Sequence, residues 1–182
     1  MTLIVKLGSE HVTVKRIAAE VGITEAAVYR HFKSKSDILC FLIDHVKSNL
    51  LEDIEKGRAA GNDSSTLGVV DRTLRIHLSA VAQRRGISFQ VIAEIVSLGN
   101  PALNRKASEA IRQYTTSVRD LLREGVQAGE IRNDIDLEAT ATILFSMIHG
   151  MVSIWTLGER DFQLEDRCAS LWKVLKEAIV IH

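Results

Sequence analysis

The sequence predicts an all-α protein of 182 residues, with a small N-terminal helix-turn-helix module and a larger C-terminal helical domain. Apolar residues recur at spacings of three and four along nearly the whole chain, no stretch shows the period of two that a half-buried strand needs, and the single proline and the glycine clusters fall between the periodic segments. With 46% hydrophobic and 25% charged residues, the composition is that of a soluble globular protein and excludes a disordered one.

Near the N-terminus, Thr13 can cap a helix over 14–21 in which Val14, Ile17, Ala18 and Val21 share one face, and Gly22 stops it. Thr24 caps a second short helix, Glu25 to about Phe32, whose inward residues are Val28 and Phe32. A long amphipathic helix begins near Ser36 and runs to about Gly57, with Ile38, Leu39, Leu42, Ile43, Val46, Leu50 and Ile54 as its apolar positions. The loop GNDSS follows, and then helices near Thr66–Gln83, Ile87–Leu98, Ala102–Ala128, Leu137–Leu157 and Leu164–Ile181. We place the N-terminal module in residues 1–47 and the helical domain in residues 48–182.

The segment TVKRIAAEVGITEAAVYRHF is a helix, a Gly-containing turn and a helix, the arrangement in which a supporting helix holds a second one in the DNA major groove. If Val28 and Phe32 face inward, Ala26, Ala27, Tyr29 and Arg30 face out. Small alanines allow close approach to base edges, Arg30 can bond guanine or phosphate, and the Tyr29 hydroxyl suits a phosphate. The formal net charge of the chain is zero, which excludes a protein that coats nucleic acid over its whole surface; a DNA site has to be local. Lys15, Arg16, Arg30, Lys33 and Lys35 outweigh Glu20 and Glu25 in this segment, so the positive charge sits where such a site needs it.

Over TVKRIAAEVGITEAAVYRHFKSKSDIL the chain resembles the DNA-binding signature of the TetR/AcrR family of bacterial transcriptional repressors, through its T-x-x-x-I-A, G-[VI]-[ST], Y-x-H-F and K-x-x-L elements. The resemblance implies a three-helix DNA-binding module, a homodimer and a helical C-terminal domain that takes a small-molecule effector. It also implies that Thr13, Val14 and Lys15 start the supporting helix at the DNA backbone. Glu25, Ala26, Ala27, Tyr29, Arg30 and His31 then belong to the recognition helix, and Lys35 bonds a further phosphate as it opens the next helix. His31 reads equally as a helix-end cap. The stretch MTLIVKLGSEHV leaves room before Thr13 only for a first helix of about two turns, unless the native start lies upstream.

Two helices carry the expectation of a dimer. The Leu137–Leu157 helix is apolar nearly all round, with Leu144, Ile148, Met151 and Trp155 on one side and Ile143, Met147, Gly150 and Ile154 on the other, so it has to be covered twice. The last helix carries Leu164, Cys168, Leu171, Leu175 and Ala178 at helical spacing, and pairing both helices with their mates gives a four-helix bundle across a twofold axis. For an effector, His77, Phe89, Met147, His149, Met151 and Trp155 are polar or deformable residues within apolar helices, as a pocket in a helical bundle uses.

Other function classes find little support. No nucleophile elbow, phosphate-binding glycine loop or HExxH motif occurs, the carboxylates of LLEDIE read as a solvated helix face, and neither an enzyme nor a cofactor is expected. Cys40 and Cys168 are isolated thiols without metal-ligand spacing, which points to a reducing, cytoplasmic setting and no metal. Neither a signal peptide nor a membrane span is expected. The alternative reading is a DNA-bound protein-interaction factor of the same fold, since the recognition-helix segment also resembles the nucleoid-occlusion member of the family.

Overall fold

The computed structural model describes residues 18, 22, 24–32, 34–61, 65–158 and 161–181; within it, only the backbone of Tyr29, His31, Lys35, Ile87, Ser88 and Gln90 is described. Among these residues the protein is all-α, with seven helices and one isolated antiparallel bridge, Ile131 to Val180. The expected helix over 14–21 and any helix before it lie outside the described residues, except Ala18, which is helical and buried.

Five of the seven described helices start where a side chain takes up orphan N–H groups; Ile87–Leu98 and Leu164–Ile179 do not. Helix α1 (Glu25–His31) is capped by the Thr24 hydroxyl, which accepts from Ala27 N at 3.2 Å. Helix α2 (Lys35–Ala59) is capped by Ser34, which accepts from Asp37 N at 3.1 Å. Helix α3 (Thr66–Gln83) has two caps: Ser65 Oγ accepts from Gly68 N, and the Glu130 carboxylate, from a turn far along the chain, accepts from Thr66 N at 2.9 Å and Leu67 N at 3.2 Å. Ser65 Oγ also donates to Glu130 at 2.8 Å.

Helix α4 (Ile87–Leu98) is set between Gly86 and Gly99, both left-handed. Helix α5 (Pro101–Gln127) uses Asn100 as cap and Pro101 in its first turn, where a missing N–H costs nothing. Helix α6 (Leu137–Leu157) is capped by Asp136, and α7 (Leu164–Ile179) ends two residues earlier than the periodicity predicts because Val180 turns extended and bridges to Ile131.

Two apolar cores share helix α2. One joins Ala18 and Val28 to Ile38, Leu39, Leu42 and Ile43 of α2, and continues into Val91 and Ile95 of α4 and Leu103 and Ala110 of α5. The other begins at Leu50 and Ile54 and fills the space between α3, α5, α6 and α7. Residue 47 therefore falls inside an unbroken helix, and the N-terminal module's core is not closed on itself: α4 and α5 complete it.

Helix α2 is tied to α5 at two places, by Asp44 with Lys106 at 2.6 Å and by a two-pronged pair of Arg58 with Glu124 at 2.8 Å. At Gly57 its backbone meets α3, where Thr73 occupies the space a Cβ would need and Arg72 Nε donates to the Gly57 carbonyl at 2.8 Å. Helix α6 is long and apolar enough to cross a membrane by length and composition, but Leu144, Ile148, Met151 and Trp155 are buried against the rest of the protein.

Candidate DNA-binding surface and effector cavity

Among the described side chains of the short helix α1, Val28 reaches the core. Val28 is completely buried, and Phe32, just past the helix end, packs on the same core with its ring 5.3 Å from Phe41. Since α1 turns 100° per residue, fixing Val28 inward sends Ala26 and Arg30 to the opposite side, and both are exposed, with Ala27 half-exposed beside them; Glu25, one turn before Val28, is exposed at the helix start. Before α1, Gly22 adopts φ +70°, a conformation that favours glycine, as the sharp turn between the two helices requires.

Tyr29 and His31 lie on α1, and Lys35 is the first residue of α2, one residue after its cap. Thr13, Val14 and Lys15 lie outside the described residues. What is described is a short outward face with small residues at its start and a cation, Arg30, near its end.

A second candidate site lies beneath the middle of α2. Val46 and Leu50 form a common wall for three adjoining spaces. The central one, with room of about 30 Å³, is bounded by His77, Phe89, Tyr114, Phe145, Ile148 and His149. Toward the N-terminal module lies an apolar space of about 40 Å³, bounded by Ile43, Lys47, Val91, Ile95, Ala107, Ala110 and Ile111. On the other side a cleft of about 150 Å³ is bordered by Asn49, Glu52, Asp53, Lys56, His77 and Arg84, and all three spaces are partly open to solvent.

The polar groups of the central space have distinct environments. His149 sits between the rings of Phe89 and Phe145, at 5.2 Å and 5.9 Å, and burial lowers its pKa, which keeps the imidazole neutral at neutral pH. Burial raises the pKa of Tyr114, the nearby Asp53 charge adds to the shift, and its hydroxyl stays protonated, a ready hydrogen-bond donor. His77 Nδ1 is 2.9 Å from Asp53 Oδ2, and both residues are buried.

That last contact corrects the reading of LLEDIE as a solvated face. Glu52 and Glu55 are exposed, but Asp53 turns inward because His77 supplies the polar partner that a buried carboxylate needs.

Of the residues expected to line a pocket, His77, Phe89 and His149 meet at this cavity. Met151 and Trp155 lie instead in the main core, where Trp155 Nε1 donates to the Phe162 carbonyl at 3.0 Å, and Met147 packs on the edge of that core. None of these three is among the residues lining the spaces described. Sequence reasoning missed Tyr114, Phe145 and Asp53; the available signals were a lone tyrosine on the apolar side of a highly charged helix, and a histidine in an apolar helix in need of a partner.

Among the described residues, no group of three or more His, Cys, Asp or Glu side chains is arranged to hold a metal. Burial pushes the Cys168 thiol up to about 11, which leaves it a poor nucleophile.

The outward side of α6 and α7 is a third feature. Ile143, Ile154 and Leu157 of α6 and Val174 of α7 are exposed, and a side chain added at Gly150 would meet nothing within 4 Å. The Leu164 and Cys168 positions, expected to form part of a ridge on the last helix, face the protein's own core, because the neighbouring Trp172 anchors that side of α7 inward. The exposed side of α7 carries Val174 and Ala178.

Residues 1–39 match the family model described as bacterial regulatory proteins, tetR family, and residues 45–178 match that of the YsiA-like protein, C-terminal region. The fatty acid metabolism regulator protein of Bacillus subtilis is 25% identical over 97% of this chain and 90% of its own length. The nucleoid occlusion factor SlmA of Idiomarina loihiensis is 23% identical over 94% of this chain and 86% of its own. The crystal structure of FadR from Bacillus subtilis in complex with stearoyl-CoA shares the fold, with a TM-score of 0.68 at 24% identity over 100% of this chain and 95% of that one. With a short capped helix following a glycine turn, a helical C-terminal domain, and family matches that span most of its length, the chain belongs to the TetR family of DNA-binding bacterial transcriptional regulators.

Proposed function

We propose that this chain is a homodimeric repressor that binds a palindromic operator and releases it when an apolar small molecule with a long hydrocarbon part, of the acyl-thioester class, enters the space beneath α2. The observation that carries the reading is the double duty of α2: its middle, at Val46 and Leu50, walls the cavity, and its first turns, at Ile38, Leu39 and Leu42, form the floor on which α1 sits. An occupant of the cavity therefore acts on the same rigid helix that positions the recognition surface. The acyl class is supported by the apolar lining and by the stearoyl-CoA complex of the structural relative.

In this reading residues 1–47 are the DNA-binding part and 48–182 the effector and dimerisation part. Ala26, Ala27 and Arg30 face the groove, Glu25 stands at its start, and Tyr29, His31 and Lys35 hold phosphates together with Thr13, Val14 and Lys15. The protein works in the cytoplasm by binding, without catalysis or cofactor. The dimer forms through the outward side of α6 and α7, where Ile143, Met147, Gly150, Ile154 and Leu157 make a stripe with spacings of four, three, four and three. Two such subunits set their recognition helices against half-sites about 34 Å, or a multiple, apart.

Replacing Tyr29 and Lys35 together by Ala is expected to abolish operator binding, measured by fluorescence anisotropy on a sequence recovered by binding-site selection. The helical spectrum and the dimer remain intact. Operator affinity unchanged by the double substitution places the DNA contacts elsewhere.

The similarity to nucleoid occlusion factors over nearly the whole chain favours a second reading, a DNA-bound factor that acts through protein contacts. Mapping bound sites across the chromosome separates the two: a repressor occupies a few promoters, the alternative many dispersed sites.

A further inference from the structure

We infer that Asp53 and His77 are positioning residues for DNA recognition: their buried hydrogen bond fixes how α2 is rotated on α3, and with it the direction in which the recognition helix points, while adding little to stability. The inference rests on the operator-binding reading above and names a contact, well away from the DNA-facing surface, on which that binding depends.

The pair is one rung of a ladder. Gly57, one turn after Asp53 on α2, is the residue whose backbone meets Thr73, one turn before His77 on α3. One turn the other way, Asn49 and Val81 border the same cleft. The two helices therefore cross antiparallel with rows of i, i+4 residues facing each other. Around the Asp53–His77 rung the contacts are apolar, from Leu50 and Ile54 on α2 and Leu74, Leu78 and Val81 on α3. A carboxylate oxygen accepts, so the imidazole Nδ1 donates to Asp53 Oδ2 at 2.9 Å, and both residues are buried.

The energetics of such a pair favour direction over stability. Taking a carboxylate and an imidazole out of water has a desolvation cost that their mutual bond repays only in part, and an apolar pair of similar volume in their place is often as stable. Contacts between leucine and isoleucine side chains keep their strength when a helix turns a little, because apolar burial is non-directional. A hydrogen bond does not. Turning α2 by about 20° about its axis carries a side-chain atom about 5–6 Å from that axis through about 2 Å, enough to break a bond of this length. The neighbouring bond from Arg72 Nε to the Gly57 carbonyl ends on a backbone atom close to the axis, so it sets the distance between the helices more than their rotation. The tie of Asp44 to Lys106 lies nearer the N-terminal module but is open to solvent on both partners, where an ion pair holds little.

Helix α2 carries the setting to the DNA-binding module. It is one unbroken helix of 25 residues, and Asp53 lies roughly 27 Å along it from Lys35. At the module end, Ile38, Leu39, Leu42 and Ile43 pack in the cluster that holds Val28 of the recognition helix. The recognition helix therefore turns with α2. At an interaxial distance of about 8–10 Å, a turn of about 20° displaces it by about 3 Å, as much as the length of a hydrogen bond to a base. Two subunits on one palindrome have to fit both half-sites at once, so misdirected helices lose affinity with every DNA-contacting residue unchanged.

The test uses the full chain on its selected operator, with no effector added, and compares thermal melts with operator affinity by anisotropy. Asp53→Leu combined with His77→Phe replaces the pair by apolar side chains, for which the adjoining cleft, with room of about 150 Å³, leaves space. The double variant is expected to melt no lower than the parent and yet to bind the operator about 5- to 30-fold more weakly, within the range by which distant residues modulate a coupled site. Asp53→Asn, which keeps an acceptor for the imidazole, is expected to bind within about twofold of the parent. A double variant that keeps the parent's operator affinity overturns the inference. So does one that unfolds or melts well below the parent, since the pair is then a stabilising contact. Asp53→Asn that loses as much affinity as the double variant overturns it as well, because the hydrogen bond is then not what counts. If the unaltered protein selects no operator, the operator-binding reading itself fails, and the inference with it.

Discussion

His149 shows how one half-buried side chain couples the cavity to pH. Its ring lies between Phe89 and Phe145, and desolvation lowers its pKa, so the folded protein resists protonating it while the unfolded chain does so at the ordinary value near 6.5. The unfolded state therefore binds more protons as pH falls below about 6.5, and stability is full above that value and declines on acidification toward the lowered folded pKa. His149→Gln is expected to flatten this acid-side decline, seen as a smaller fall in melting temperature between neutral and mildly acidic buffer. An equal slope in the two proteins shows that other groups carry the dependence.

Among helices, the contact of α2 with α3 is the tightest described. A Cβ on Gly57 would lie 2.2 Å from Thr73 Oγ1, 3.0 Å from Thr73 N and 3.1 Å from the Val69 carbonyl. The Thr73 hydroxyl has to swing away, and because the other two are backbone atoms that no rotamer change can move, the helices also have to separate slightly. Gly57→Ala, normally stabilising in a helix interior, is here expected to cost about 1–3 kcal/mol. At about 2–4 °C per kcal/mol for a protein of this size, the loss is visible as a lowered melting temperature in a thermal scan.

Helix boundaries and inward faces were legible because they depend on local chemistry: Thr24 as cap, Gly22 as turn and Val28 as the inward anchor all act within a few residues. Asp53 was not legible, because its burial depends on a histidine 24 residues away on another helix. Trp155 and Met151 pack in the main core, a placement their residue types do not reveal: side chains that suit a pocket also suit a core, and the Phe162 carbonyl opposite the indole N–H is a distant partner. The union of the N-terminal core with α4 and α5 was hidden as well, since Val91, Ile95, Leu103 and Ala110 show ordinary helical periodicity and nothing in their spacing tells which neighbour they face.

For the whole molecule, the apolar stripe on α6 and α7 is the surface through which we propose that two copies act together. Ile154 is 65% exposed and Val174 72%, while a side chain on Gly150 would meet open space, so the subunit presents a long apolar surface with room for a helix to approach closely. Ile154→Glu sets like charges against each other across a twofold axis and is expected to yield monomers by light scattering at micromolar concentration. Losing the second recognition helix removes its effective concentration at the operator, so affinity is expected to fall by about 10²–10⁴-fold. A dimer that persists in this variant places the interface on another surface.

The turn that carries Glu130 looks like an ordinary solvent-facing connection between α5 and α6. Its carboxylate nevertheless closes the first turn of α3, accepting from Ser65 Oγ, Thr66 N and Leu67 N more than sixty positions upstream. An engineer choosing a place for a tag, a fluorophore or an inserted domain would pick such a connection for its exposure. Doing so here would unfasten the start of a helix on which the main core, the contact at Gly57 and the wall formed by His77 all depend.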